Sequence, residues 1–392
     1  MKYKQKKVLI IAVSLTIAAL FIWKNRCYIP IHSEKRGVFI SYIEYEKYFK
    51  NKSADEIKIE IKNMIKKIKE YKLNMIILQV RSFSDAIYPS AIYPASISIV
   101  SKESDKLPLD ILATFIEYAH ASNIEVHAWI NPYRIRTSTD ITTISEKNPA
   151  YQWLNTNHVK VIPDKGIYYN PASSEVKELV LVGIHEIIEN YQVDGIHLDD
   201  YFYPDETIDL ENYQTVKDTI SLTDYRLSQT NELVQSIYQL VKEKNSKIQV
   251  GISPEGNLEN NYEKNYADVK TWLSKDGYID YIMPQLYYGF FNETKPFIET
   301  LNTWKNLIKN DVILIPALAL YKAGQVDSYA KKGSQEWLES NHIIENQIKV
   351  LRQNQDAKGF SIFRYDYLCD TTNQVLKEEQ INLQKILNIQ TN

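Results

Sequence analysis

Residues 193–204 read VDGIHLDDYFYP. Val193, Ile196 and Leu198 mark an apolar, β-branched strand, yet it finishes on Asp199 and Asp200 and runs on into Tyr201, Phe202 and Tyr203. Side chains alternate across a strand, so one aspartate of such a pair faces into the sheet's mouth and the other braces a loop or a neighbouring strand; alternation alone leaves open which is which. Polar residues at the C-terminal end of an apolar strand are the pattern of a parallel α/β barrel, whose reactive face lies at that end.

Working outward, the strand-and-helix alternation occurs eight times. Strand-like runs fall at 38–45, 75–81, 124–134, 193–203, 247–254, 278–288, 312–321 and 359–368. Between them lie stripes at helical spacing: Ile57, Ile61, Ile65 and Ile68; Val176, Leu179, Val180, Gly183 and Ile187; Leu233, Ile237, Leu240 and Val241. Eight such units predict parallel strands with helical crossovers. An open dinucleotide-binding sheet would carry a Gly-rich turn after its first strand, and the 11 glycines form no GxGxxG. The expected fold is therefore a single (β/α)8 TIM barrel over residues 32–392, with its two longest loops after strands three and four.

The N-terminus opens on MKYKQKK, followed by sixteen uncharged residues from Val8 to Trp23 and then KNRC. A cationic flank before an apolar run reads as a signal anchor or a signal peptide, with a short linker to about residue 31. Sixteen residues make about 24 Å of helix, short for a span, and no small-x-small cleavage site is evident. Anchoring in the membrane through residues 8–23 is the expectation, with the body outside the cytoplasm.

Composition excludes several classes. A net charge of -3, from 46 basic and 49 acidic residues, leaves no electrostatic footprint for nucleic acid. Cys27 and Cys369 are the only cysteines, so no disulfide framework is expected, and the seven histidines form no HxxxH or HExxH ligand pair. No metal or cofactor is expected. Aromatics make up 12% of the chain, 29 of them Tyr, and such rings stack on sugar faces as readily as they fill cores. Nothing in the sequence fixes the oligomeric state.

Glycosidic bond hydrolysis by protein side chains uses two carboxyl groups, one protonated as acid. Asp200, or failing that Asp199, is read as nucleophile or base, and Glu255 of VGISPEGN, at the end of strand five, as the acid. Asp366 and Glu44 are weaker alternatives, and Asp85 falls too far beyond strand two. Arg81, His127, Asn131, Arg134, Gln285 and Arg364 sit at strand ends where they could bind hydroxyls or hold a carboxylate's charge state. Trp129, Tyr133, Tyr201, Tyr203, Tyr287 and Tyr288 are candidates for the substrate cleft, and Asp366 is counted with them. His197 is expected to face the helix layer or a neighbouring strand.

The stretches RGVFI from Arg36, LQVRSFSDAIYPS, VHAWINPYR, YYNPASSEVKELV, VDGIHLDDYFYP, VGISPEGN and IDYIMPQLYY together resemble the glycosyl hydrolase-like family ten, bacterial extracytoplasmic (β/α)8 proteins that are often anchored. The resemblance implies a glycosidase acting on cell-wall or other surface glycan, with peptidoglycan strands as the substrate class. The family pattern has an aromatic residue where Glu255 stands and an Arg-Asn pair at Glu259 and Asn260, so the Asp pair is the firmer carry-over. A chitinase DGxDxDxE pattern fails, because Tyr201 and Phe202 occupy the region of its acid.

Two functions of different class follow. One is an anchored glycoside hydrolase; the other is a barrel that binds glycan without cutting it, as a wall-binding or assembly module. A phosphate-sugar aldolase would need a strand-end lysine, and only Lys322 comes near.

Overall fold

The computed structural model describes residues 34–388 apart from 201 and 355. The expected anchor segment lies outside the described residues. Among those described, no helix is long and apolar enough to cross a membrane.

Among the described residues twelve strands form in chain order: β1 (Lys35–Ile40), β2 (Met75–Arg81), β3 (Glu125–Ile130), β4 (Arg134–Arg136), β5 (Val159–Ile162), β6 (Gly166–Tyr169), β7 (Gly195–Leu198), β8 (Gln249–Ile252), β9 (Tyr281–Ile282), β10 (Ile313–Leu314), β11 (Ala317–Ala319) and β12 (Gly359–Phe363). Nine make one parallel sheet in the order β10-β9-β8-β7-β3-β2-β1-β12-β11. Its two terminal strands belong to one stretch of chain. Ile315 N–H donates to Ile282 O and Ala317 N–H to Pro284 O on one side, while Lys358 N–H donates to Leu314 O and Ser361 N–H to Pro316 O on the other, each at 2.9 Å. The sheet is curled into a barrel-like form.

Period-two alternation sorts the side chains into two layers. Ile76, Leu78, Val80, Ile196 and Leu198 join the large core under the helices, where Ile57, Ile61, Ile65 and Ile68 of helix Ala54–Glu70 are also buried. Phe39, Met75, Ile77, Trp129, Tyr281 and Met283 form a smaller cluster inside the curl. Room for the larger inner residues comes from glycine on the adjoining strands. A Cβ on Gly195 would stand 2.1 Å from His127 Nδ1, and one on Gly251 would stand 2.0 Å from the Tyr281 ring.

Several elements end sooner than the composition predicts. Residues 42–45, expected to extend the first strand, begin helix Tyr42–Tyr48, because Ser41 and Glu44 close a capping box. Strand four stops at Leu198, and residues 365–368 form a 3-10 turn rather than strand. The loop after β3 carries the small antiparallel sheet β4-β6-β5. The loop after β7, residues 199–221, carries the short helix Leu210–Tyr213. A third long connection, residues 82–110 after β2, exceeds that second one and was not anticipated.

Candidate active site

The C-terminal ends of the strands surround a cavity of about 360 Å³. Asp199 and Asp200 both line it. Asp199 follows Gly195 and His197 on the inward side of β7 and is buried. Trp129 Nε1 donates to its Oδ2 at 3.1 Å, and Asn131 Nδ2 donates to the same oxygen at 3.0 Å. Two N–H donors on one carboxyl favour its ionised form. Asp200 stands beyond the last strand residue, where the chain has begun to turn, so it too reaches the cavity rather than the opposite face.

The environment of Asp200 pushes the other way. Burial, and then the charge of Asp199, lift its pKa to about 7, against a hydrogen bond with the Gln285 side chain that favours the carboxylate; Glu255 adds a smaller upward push. Near neutral pH, one carboxyl of the pair is therefore held as an acceptor and the other carries a proton part of the time.

The supports run down into the curl. His197 Nε2 meets Ser253 Oγ at 2.9 Å, and its Nδ1 meets the Tyr281 hydroxyl at 3.0 Å. The same hydroxyl meets His127 Nδ1 at 2.8 Å. Burial pushes both imidazoles below their ordinary range, so the column under the aspartates is neutral at pH 7. Of the two expected settings, His197 takes the neighbouring strand rather than the helix layer: it faces inward, reaches Ser253 just past the end of β8 and packs 5.6 Å from the Phe39 ring.

Around the pair, the wall is aromatic with a few polar groups: Phe39, Tyr42, Trp129, Tyr287, Tyr321 and Phe363, with Gln79, Arg134, Ser253 and Gln285 between them. Arg134 is fixed by donating Nε–H to Ser82 O at 3.2 Å and by lying 4.8 Å from the Phe83 ring centroid. Asn131 makes the turn that brings it there, its Oδ1 accepting from the Arg134 backbone N–H at 2.8 Å.

A sequence model of the family described as Glycosyl hydrolase-like 10 matches residues 34–339. The chain belongs to that family. Glycosyl hydrolase YngK of Bacillus subtilis (strain 168) is 32% identical over 299 residues, which span 70% of this chain and 58% of YngK. Glycosyl hydrolase DigH of Escherichia coli (strain K12) is 26% identical over 330 residues, 76% of this chain and 73% of DigH. Among solved structures, the PgaB (BpsB) glycoside hydrolase domain from Bordetella bronchiseptica superposes with a TM-score of 0.59 at 11% identity, covering 91% of this chain and 99% of that one. The catalytic domain of β-amylase from Paenibacillus polymyxa gives 0.54 at 12% identity, covering 89% and 98%. At such identities the likeness is one of fold.

In this Glycosyl hydrolase-like 10 chain, the structure gathers Asp199, Asp200, Trp129, Arg134, Gln285 and Tyr287 around one cavity, with Asn131 behind Asp199. It draws the other candidates elsewhere. Glu255 lies outside the cavity wall and accepts from Asn260 Nδ2 at 2.6 Å and Asn265 Nδ2 at 3.4 Å. Arg81 packs 4.3 Å from the Tyr93 ring against helix Ser174–Asn190. His127 sits lower in the curl, and Tyr133 is buried in the outer core. Tyr203 joins a separate cluster, 5.1 Å from the Tyr266 ring and 5.5 Å from Arg226. Tyr288 stands beside Gly256 and Glu255, off the cavity. Arg364 pairs with Glu44, the buried capping residue, and Asp366 accepts from the Tyr48 hydroxyl at 2.7 Å. Asp85 is buried and accepts from Ile97 N–H at 3.1 Å. Lys322 is paired with Asp327 at 2.7 Å. Tyr201 lies outside the described residues. Among those described, no group of three metal-ligating side chains assembles.

Cavity residues absent from the sequence reading are Phe39, Ser41, Tyr42, Gln79, Ser253 and Tyr321, with Ile43 and Phe363. A signal for Gln79 was present, since Met75, Ile77 and Gln79 share one face by alternation. A register shift between Gln79 and Arg81 then turns Arg81 outward, opposite Ile130.

Proposed function

We propose that this chain is an anchored, extracytoplasmic (β/α)8 glycoside hydrolase that cuts cell-wall glycan, with peptidoglycan strands as its substrate. One observation carries the reading: adjacent carboxyls in one aromatic-walled cavity are held in opposite environments, Asp199 by two N–H donors and Asp200 with its pKa near 7. Pairs of titratable groups pushed apart in this way divide acid from base work. The roles read from sequence are therefore revised. Asp200 is the general acid, Asp199 is the ionised partner, and Glu255 steadies the field around Asp200 from outside the cavity. Family membership and the names of the relatives support hydrolysis. The anchor rests on the MKYKQKK flank and the apolar run at 8–23.

The test is to incubate the chain with purified peptidoglycan glycan strands, with and without stem peptides, and to analyse the products by mass spectrometry. Fragments formed by the native chain and lost with Asp200→Asn are expected. Strands that stay bound and uncut would favour the binding-module reading instead. Membrane fractionation, before and after deletion of residues 1–31, checks the anchor.

A further inference from the structure

We propose that the nucleophile at this site is supplied by the substrate, so that the sugar whose bond is cut must carry a 2-acetamido group, with Asp199 positioning that group and Asp200 protonating the leaving oxygen. The inference rests on the hydrolase reading above and names the substrate class and the reaction course.

Three observations point to it. First, Asp199 and Asp200 are the only carboxyl residues among the described residues that line the cavity. Glu255, a further acid whose charge acts on Asp200, is held by Asn260 and Asn265 outside the wall. Second, displacement by a protein carboxylate places nucleophile and acid on opposite sides of the scissile bond, about 5 to 5.5 Å apart for retention and about 6.5 to 9.5 Å for inversion with water between. Asp199 and Asp200 both line one cavity from the end of a single strand, a placement that suits an acid and a second group acting on a neighbouring substituent. Third, Asp199 is fixed rather than free to approach a reacting carbon, since Trp129 and Asn131 both donate to Oδ2 and Asn131 Nδ2 also lies 3.3 Å from Oδ1. A fixed, ionised acceptor is suited to receive an amide N–H.

The course balances without any further reagent. In the first step, the proton of Asp200 passes to the glycosidic oxygen as the bond from C1 to that oxygen breaks. The acetamido carbonyl oxygen forms the new bond to C1, and the amide N–H is held by, or gives its proton to, Asp199. The product is a cyclic oxazoline and a free alcohol. In the second step, water adds to C1 and gives its proton to Asp200, the bond from C1 to the oxazoline oxygen breaks, and the nitrogen regains its proton from Asp199. Configuration at C1 is retained.

The experiment uses the full chain in detergent with two probes. Peptidoglycan strands are compared with the same strands after chemical removal of the acetyl groups. The thiazoline of N-acetylglucosamine, an inert mimic of the cyclic intermediate, is titrated by calorimetry. Cleavage at least about 100-fold slower on the de-N-acetylated strands is expected, because an internal nucleophile supplies a large effective concentration. The thiazoline should bind, and Asp199→Asn should weaken it at least about tenfold, the loss of one charge-assisted hydrogen bond. Equal cleavage of both strands, or a glycosyl group trapped covalently on Asp199, would overturn the proposal while leaving hydrolysis intact. Should no strand be cut, the hydrolase reading fails and the inference, which rests on it, falls with it, an outcome distinct from equal cleavage of both strands, which overturns the inference alone.

Discussion

Asp200 has a carboxyl that burial and the adjacent charge of Asp199 lift to about 7, from an ordinary value near 3.8. The sign of the consequence follows from linkage: the folded state prefers the protonated acid, so the stabilisation is complete below about pH 4 and is lost as pH rises through 7. Asp200→Asn removes that titration. A melting temperature raised by about 1 to 2 °C at pH 8, corresponding to roughly 1 kcal/mol, and little changed at pH 4, is expected in thermal scans. The same variant should lose about 10² to 10⁴ in turnover, and native kcat/KM should fall about tenfold per pH unit above 7. A flat profile between pH 6 and 9 would remove Asp200 from the acid role. Trp129→Phe keeps a ring against Phe39, 5.5 Å away, but removes the N–H held to Asp199. A hydrogen bond to a charged group contributes about 1.5 to 3 kcal/mol, so kcat should fall about 10- to 100-fold with the fold intact by circular dichroism. The aspartate pair was legible in the sequence because carboxylates at the end of an apolar strand demand a reason. Arg81 misled for an equally local reason. Its parity along β2 matches Gln79, and only the register shift between them, which no residue type announces, sends it to the helix layer.

Helices were legible where a stripe lay against the sheet: Ile57, Ile61, Ile65 and Ile68 are all buried on Ala54–Glu70. Strand ends were less so, since aromatic and β-branched residues such as Tyr42 and Ile43 carry strand propensity, and the Ser41 to Glu44 capping box overrides it. Loops without periodicity hid their organisation entirely. Residues 82–110 are laced to the loop after β3 by buried polar groups. Glu103 pairs with Arg136, accepts from Asn148 Nδ2 at 2.6 Å and accepts from Ser145 N–H at 2.7 Å. Ser84 Oγ donates to Asn148 Oδ1 at 2.9 Å. Glu103→Ala would leave the Arg136 guanidinium buried beside Asp85 with its main partner gone, a change that costs about 3 to 5 kcal/mol. The expected result is a lowered denaturation midpoint in urea, together with faster proteolysis within 82–110 or 137–158. Unchanged stability would show that the lacing is decorative.

At the scale of the whole molecule, the curl of the sheet makes distant parts of the chain depend on one another. β12 pairs with β1 on one side, Lys35 opposite Gly359 through Val38 opposite Ile362, and with β11 on the other. The same C-terminal region supplies Glu379, whose carboxyl accepts from the backbone N–H groups of Ile343 and Ile344 at 3.0 and 2.8 Å. It also supplies Phe363 to the cavity wall. Eight strand-like runs in the sequence made a parallel α/β fold legible, but alternation says nothing of which strands meet, since the β1 to β12 pairing spans more than 300 residues and is fixed only by packing. A chain ending at residue 358 would expose the free edge of β1 and of β11, and unpaired edges invite association. We expect the native chain to unfold in one cooperative urea transition and the shortened chain to lose it, followed in parallel by far-ultraviolet circular dichroism and by tryptophan fluorescence. Trp129 reports there from inside the curl, while Trp272 and Trp304 report from the outer core. Coincident curves for the native chain and a non-cooperative, aggregating response for the shortened one would establish that the barrel-like sheet folds as one unit. A cooperative transition surviving the truncation would mean that the remaining strands hold the site without β12.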